Sequence, residues 1–92
     1  MTPETQAQAL RRLKIIGGQV QALERQIDED KYCMDVLDLS RSIQKALRSL
    51  DTLVIEGHLR THVAHQMANG ETERAVQELL RVYRVQGPAD ND

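Results

Sequence analysis

The stretch VLDLSRSIQKALRSLDTLVIEGHLRT, residues 36–61, decides the fold of this chain. Val36, Ser40, Ile43, Leu47, Leu50, Val54, Gly57 and Thr61 recur through it in a seven-residue repeat, the stripe that one long helix presents to another. This helix is expected to begin at Tyr32 or Cys33 and to reach about Ala68, where Asn69-Gly70 supplies a C-terminal stop. Upstream, Leu10, Leu13, Val20, Leu23 and Ile27 return at helical spacings, which predicts a first amphipathic helix from about Glu4 to Ile27. Gly17-Gly18 interrupts it. Each glycine costs roughly 1 kcal/mol relative to Ala in a helix interior, so the pair points to a kink or to the close approach of another backbone. Asp28-Glu29-Asp30 reads as a polar break with a candidate N-cap for the long helix. Downstream, Thr72 is placed to cap a short third helix that carries Val76, Leu79, Leu80 and Tyr83 and ends by Gly87-Pro88, with a short disordered tail beyond.

Composition agrees with an all-α chain of three helices. The 92 residues include no Trp or Phe, two Tyr and two Pro, and Leu, Ala, Gln, Glu and Arg favour helix over strand. No strand-like alternation, internal repeat or tight helix-turn-helix pair is legible. A chain this short makes one domain, 1–92, with its core over about 4–86. It buries little apolar surface alone, so partner subunits are expected. No apolar run approaches the roughly 18 residues of a membrane span, and Met1-Thr2-Pro3-Glu4 does not open a signal peptide. The expectation is a cytoplasmic protein without a membrane partner. Net charge is −2, unpromising for phosphate neutralisation. The acidic residues nevertheless gather in Asp28-Glu29-Asp30 and Asp90-Asn91-Asp92, while Arg11, Arg12 and Lys14 form one basic cluster and Arg41, Lys45 and Arg48 another. These six are the candidate DNA contacts, and by charge alone they equally suit solvated helix faces.

The chemistry lies in one cysteine and a pair of histidines. His58 and His62 are four residues apart, the spacing at which two imidazoles on one helical face converge on an ion. Solvated faces also carry such pairs, and Cys33 is what singles this one out. A lone cysteine closes no internal disulfide, which leaves a buried thiol, an intermolecular link, a reactive group or a metal ligand. On one continuous helix, Cys33 and His58 lie about 37 Å apart at 1.5 Å per residue, so one subunit cannot close a site from them. An antiparallel pairing of two long helices about Ala46-Leu47 sets Cys33 of one chain opposite His58 and His62 of its mate and gives two sites per dimer. One thiolate and two imidazoles suit three-coordinate Cu(I). Tetrahedral Zn(II) needs a fourth donor, from water or His65, and Ni(II) or Co(II) needs more. Catalysis by Cys33 with His58 as base lacks an oxyanion feature and a substrate pocket, so no enzyme is expected.

Tyr32-Cys33-Met34-Asp35-Val36-Leu37 followed by Glu56-Gly57-His58-Leu59-Arg60-Thr61-His62, with Arg12-Leu13-Lys14, Gly18-Gln19-Val20 and Glu78-Leu79, resembles the signature of the CsoR family, the copper-sensing repressors. The resemblance covers roughly residues 8–83 and implies an antiparallel four-helix-bundle dimer assembled into a dimer of dimers, a homotetramer. It implies a transcriptional repressor whose metal-free form binds operator DNA and whose metal-bound form releases it. Cys33 and His58 match the family's first two copper ligands, and His62 stands where copper sensors usually carry a second Cys. Tyr32 and Glu78 match the pair that in copper sensors links the ligand histidine to the third helix. Arg12 and Lys14 match the basic positions of the first helix. Nickel and cobalt members share a third-position His but add one near the N-terminus, where Met1-Thr2-Pro3-Glu4 has none. Cu(I) therefore leads, with a nickel-, cobalt- or zinc-responsive repressor, or a metal-buffering protein without operator affinity, as the alternatives.

Overall fold

The computed structural model describes residues 1–86, and every regular element in them is helical. The expected disordered tail and the Gly87-Pro88 stop lie outside the described residues. Helix α1 (Pro3–Asp28) is followed by α2 (Cys33–His58), a π-helical turn (Leu59–Val63), α3 (Ala64–Ala68) and α4 (Thr72–Gln86). The chain divides into two compact units, Met1–Val54 and Ile55–Asp92.

In the first unit, Thr2 starts α1. Its hydroxyl oxygen accepts the Thr5 N–H at 3.1 Å, with Pro3 in the first turn and Glu4 at the positive end of the helix. The helix continues unbroken through Gly17-Gly18, and a Cβ built on either glycine meets nothing within 4 Å. The expected close approach is therefore not made inside this chain. Asp28-Glu29-Asp30 ends α1 and does not begin α2: Asp30 takes φ 51°, the Lys31 N–H reaches Gln26 O at 2.9 Å, and the Asp30 N–H reaches Ile27 O at 3.1 Å. That is a Schellman closure with aspartate in the left-handed position. Gly70, φ 78°, closes α3 in the same way, with the Glu71 N–H on Gln66 O at 2.7 Å. Tyr32 then opens α2, its carbonyl accepting the Asp35 N–H at 3.0 Å. A left-handed L-residue costs roughly 1–2 kcal/mol, less for Asp. Asp30→Gly is accordingly expected to raise stability by about 0.5–1 kcal/mol, and Gly70→Ala to lower it by about 1 kcal/mol. Urea titrations with unchanged m-values check both, and an Asp30→Gly protein less stable than the parent contradicts the first.

The apolar stripes legible in the sequence are not the faces this chain buries. Ile16 and Ile43, 5% and 6% exposed, form the buried apolar pair of the first unit. Leu10, Leu13, Val20 and Ile27 of α1 remain exposed, Leu10 at 59% and Ile27 at 62%. In the second unit Val63 and Ala75 are buried, whereas Val76, Leu79, Leu80 and Tyr83 of α4 face outward. Sixteen large apolar side chains are exposed against four buried apolar ones among the described residues. The stripes are real, and they await surfaces that one chain does not supply.

The long second helix also departs from expectation. Residues 33–68 are helical, but α2 stops at His58 and five residues follow in π geometry. The Ala64 N–H reaches back to Leu59 O, and the Thr61 hydroxyl donates to Gly57 O at 2.8 Å. Back-bonding of this kind bends and loosens a helix. A π turn brings residue i+5 over residue i, so the seven-residue repeat changes phase here. Thr72, expected as a cap, is the first residue of α4, and the Glu71 carbonyl accepts the Ala75 N–H at 3.1 Å.

Candidate metal centre

The second unit builds a polar cluster on this change of phase. His58 ends α2, and Val63 and Gln66 follow it five and eight residues later. With the π turn between them, Val63 and Gln66 both become buried. From α4, Glu78 lies one turn beyond the buried Ala75 and meets His58 and Gln66. His58 Nε2 stands 2.6 Å from Glu78 Oε2, and Gln66 Nε2 donates to Glu78 Oε1 at 3.0 Å. Arg74 Nε lies 3.7 Å from the same Oε1. The hydrogen bond from His58, then that from Gln66, holds the Glu78 carboxyl below the usual carboxylate range; Arg74 assists and burial opposes.

A carboxylate only accepts, so the proton between them belongs to His58 Nε2, and in the neutral ring the lone pair sits on Nδ1. The rings of His58 and His62 stand 5.1 Å apart, tilted by 32°. Ile55, His58, Glu78, Arg81 and Val82 line an open groove of about 320 Å³ beside them. Two neighbouring imidazoles, one with its ring orientation set by a carboxylate, present nitrogen donors of the kind that metal sites use.

Other sequence candidates fall elsewhere. Cys33 is a free, exposed thiol at the first position of α2, in the first unit. Tyr32 belongs to that unit too and is 71% exposed. Of the expected pair, Glu78 is the member that engages His58 within the second unit. His65 Nε2 is 2.8 Å from Asn69 Nδ2. Among the described residues, no three His, Cys, Asp and Glu side chains of one chain are arranged to hold a metal ion. Sequence reasoning missed Gln66, although its place one and two turns beyond His62 and His58 marked it as a polar residue on the ligand side.

The basic candidates lie in the first unit. Arg11 and Lys14 are exposed beside Leu10 and Leu13. Arg12 is tied to α2, its Nη1 donating to Ser49 Oγ at 2.9 Å. Arg41, Lys45 and Arg48 follow at helical spacing on the exposed side of α2.

Comparison with known proteins gives a consistent result. Over 77 residues the chain is 34% identical to the copper-sensing transcriptional repressor CsoR of Bacillus subtilis, a match covering 84% of this chain and 76% of that protein. It is 40% identical over 60 residues to the copper-sensing transcriptional repressor RicR of Mycobacterium tuberculosis, covering 65% of this chain and 62% of the relative. Among solved structures, the copper-sensing repressor CsoR with Cu(I) from Geobacillus thermodenitrificans superposes with a TM-score of 0.84 at 32% identity, over 91% of this chain and 88% of that one. Residues 5–85 match the family described as metal-sensitive transcriptional repressor, and the chain belongs to that family.

Proposed function

We propose that this chain is a Cu(I)-responsive repressor that acts in the cytoplasm as a single-domain subunit of a homodimer or homotetramer. Its metal-free form binds operator DNA, and Cu(I) bound between two subunits releases it. The observation that carries this reading is the His58–His62 pair with Glu78 on His58 Nε2. The donors fit the ion. Cys33 supplies a soft anionic sulfur, and His58 and His62 supply two borderline nitrogens, a low-coordinate set suited to Cu(I). Cys33 is the first residue of a 26-residue helix and His58 the last, so the sulfur is supplied by a second copy. The copper-sensing relatives and the Cu(I)-bound neighbour support the same metal.

Tyr32 and Glu78 are assigned to the coupling. Glu78 already joins the ligand His58 to α4, so a change at His58 is felt by that helix. Binding at one site then alters affinity at the other, and a 100-fold drop in operator affinity corresponds to about 2.7 kcal/mol of coupling. Operator contact is assigned to Arg11, Arg12, Lys14, Arg41, Lys45 and Arg48. The exposed apolar stripes of α1 and α4 support assembly, and an antiparallel four-helix bundle covers them. No described helix is long and apolar enough to cross a membrane.

Lys14→Ala is expected to weaken operator binding and to reduce the salt dependence by about one counterion for each phosphate left without its cation, without changing metal stoichiometry. Arg12→Ala weakens binding too, and also removes the Ser49 hydrogen bond that ties α1 to α2. Fluorescence anisotropy on the protein's own promoter, across salt concentrations and with and without Cu(I), measures each quantity. Apo protein that shows no preference for that promoter over random DNA would turn the reading to a metal buffer.

A further inference from the structure

Gln66 is the buried polar side chain of the described residues, 7% exposed. Its Nε2 faces Glu78 Oε1 at 3.0 Å, and its Oε1 is buried without a partner. Because a carboxylate has only lone pairs to offer, the amide nitrogen is the end that must face it. An unsatisfied buried carbonyl carries a desolvation penalty that Leu or Met at this position would avoid. Glu78 is thus held from both sides, Oε1 by Gln66 and Oε2 by His58. Arg74, the other group on Oε1, is 68% exposed at 3.7 Å, and exposed pairs of that kind fix little.

The π turn serves the same contact. In an uninterrupted α-helix, eight residues would rotate Gln66 about 80° away from His58. The underwound turn reduces that angle and sets both side chains toward the α4 carboxylate.

We propose that Gln66 is a positioning residue of the metal centre, a clamp that keeps Glu78 on His58 Nε2 and thereby keeps the His58 lone pair on Nδ1 for a soft cation. The clamp itself is a property of the metal-free chain, and the ion it serves rests on the function proposed above. Gln66 acts through Glu78 and His58 and is not itself a ligand.

The test begins on metal-free, 15N-labelled protein at about pH 8, where free imidazole is neutral. Long-range proton–nitrogen correlation spectra of the His58 ring read its tautomer. Wild type is expected to carry the proton on Nε2, and a wild-type ring protonated on Nδ1 overturns the proposal without any variant. Gln66→Met keeps the volume and Gln66→Leu keeps the burial, and both remove the donor. Each is expected to admit the Nδ1–H form and to lower Cu(I) affinity by about 10–100-fold at unchanged stoichiometry. Circular dichroism establishes that the variants are folded. A folded variant with the wild-type His58 tautomer and wild-type Cu(I) affinity overturns the clamp while leaving the Cu(I) reading intact. If the tautomer shifts in the variants but wild type binds no Cu(I), the clamp on His58 stands and the copper reading falls.

Discussion

Cys33→Ala is expected to lower Cu(I) affinity by about a thousandfold or more, on the order of 4 kcal/mol. The two imidazoles that remain are neutral, and the variant loses the soft, anionic donor of the set. Cys33 is exposed and unpaired in the chain, so its removal opens no cavity and leaves the fold unchanged. Competition with a chromophoric Cu(I) chelator measures the loss, and wild-type affinity in the variant would remove Cys33 from the site. A mixing experiment goes further. Cys33→Ala and His58→Ala proteins are each expected to hold no tightly bound Cu(I). If the sulfur and the nitrogens come from different chains, a mixed dimer regains one of its two sites. After unfolding and refolding together in equal amounts, half of the dimers are mixed, and about a quarter of an ion per chain returns. A site closed within one chain recovers nothing.

The second large effect concerns assembly. Leu13 and Val20 lie in the outward stripe of α1 and are both about half exposed. Fully burying side chains of this size contributes roughly 1.5–3 kcal/mol each, and a carboxylate carried into such a seam adds several kcal/mol of desolvation. The double substitution Leu13→Glu, Val20→Glu is therefore expected to cost about 5 kcal/mol or more per chain, comparable with the total stability of a small domain. Sedimentation is expected to show monomer, and the helical signal at 222 nm to fall with it, because the four buried apolar side chains described in one chain hold little by themselves. Wild-type protein should melt at a temperature that rises with protein concentration, as it does when folding and association are linked. A folded wild-type monomer at micromolar concentration would defeat this account and the shared metal site together.

The sequence by itself determined whatever depends on neighbours along the chain. Helix, as against strand, was legible from the returns of Leu10, Leu13, Val20 and Ile27 and from the repeat through residues 36–61, because periodicity records local geometry. The chain turns were legible from Asp28-Glu29-Asp30 and Asn69-Gly70, and the closeness of the two imidazoles from the spacing of His58 and His62. Residue type marked Cys33 as the candidate soft donor. Tertiary structure decided whatever depends on surfaces distant in sequence. Apolar stripes look alike in sequence whether their partner lies in the same chain or another, so periodicity through Leu10 and Leu79 did not tell that the chain itself buries Ile16 and Ala75. Asp30 proved to close α1, since its left-handed backbone comes from the hydrogen bonds that Lys31 and Asp30 make backwards into the helix. The π turn gave no signal in the sequence, because π and α turns differ by only one residue of register. That single residue brings Gln66 onto Glu78, and Glu78 occupies Nε2 of His58 and leaves Nδ1 as the ring's lone-pair nitrogen.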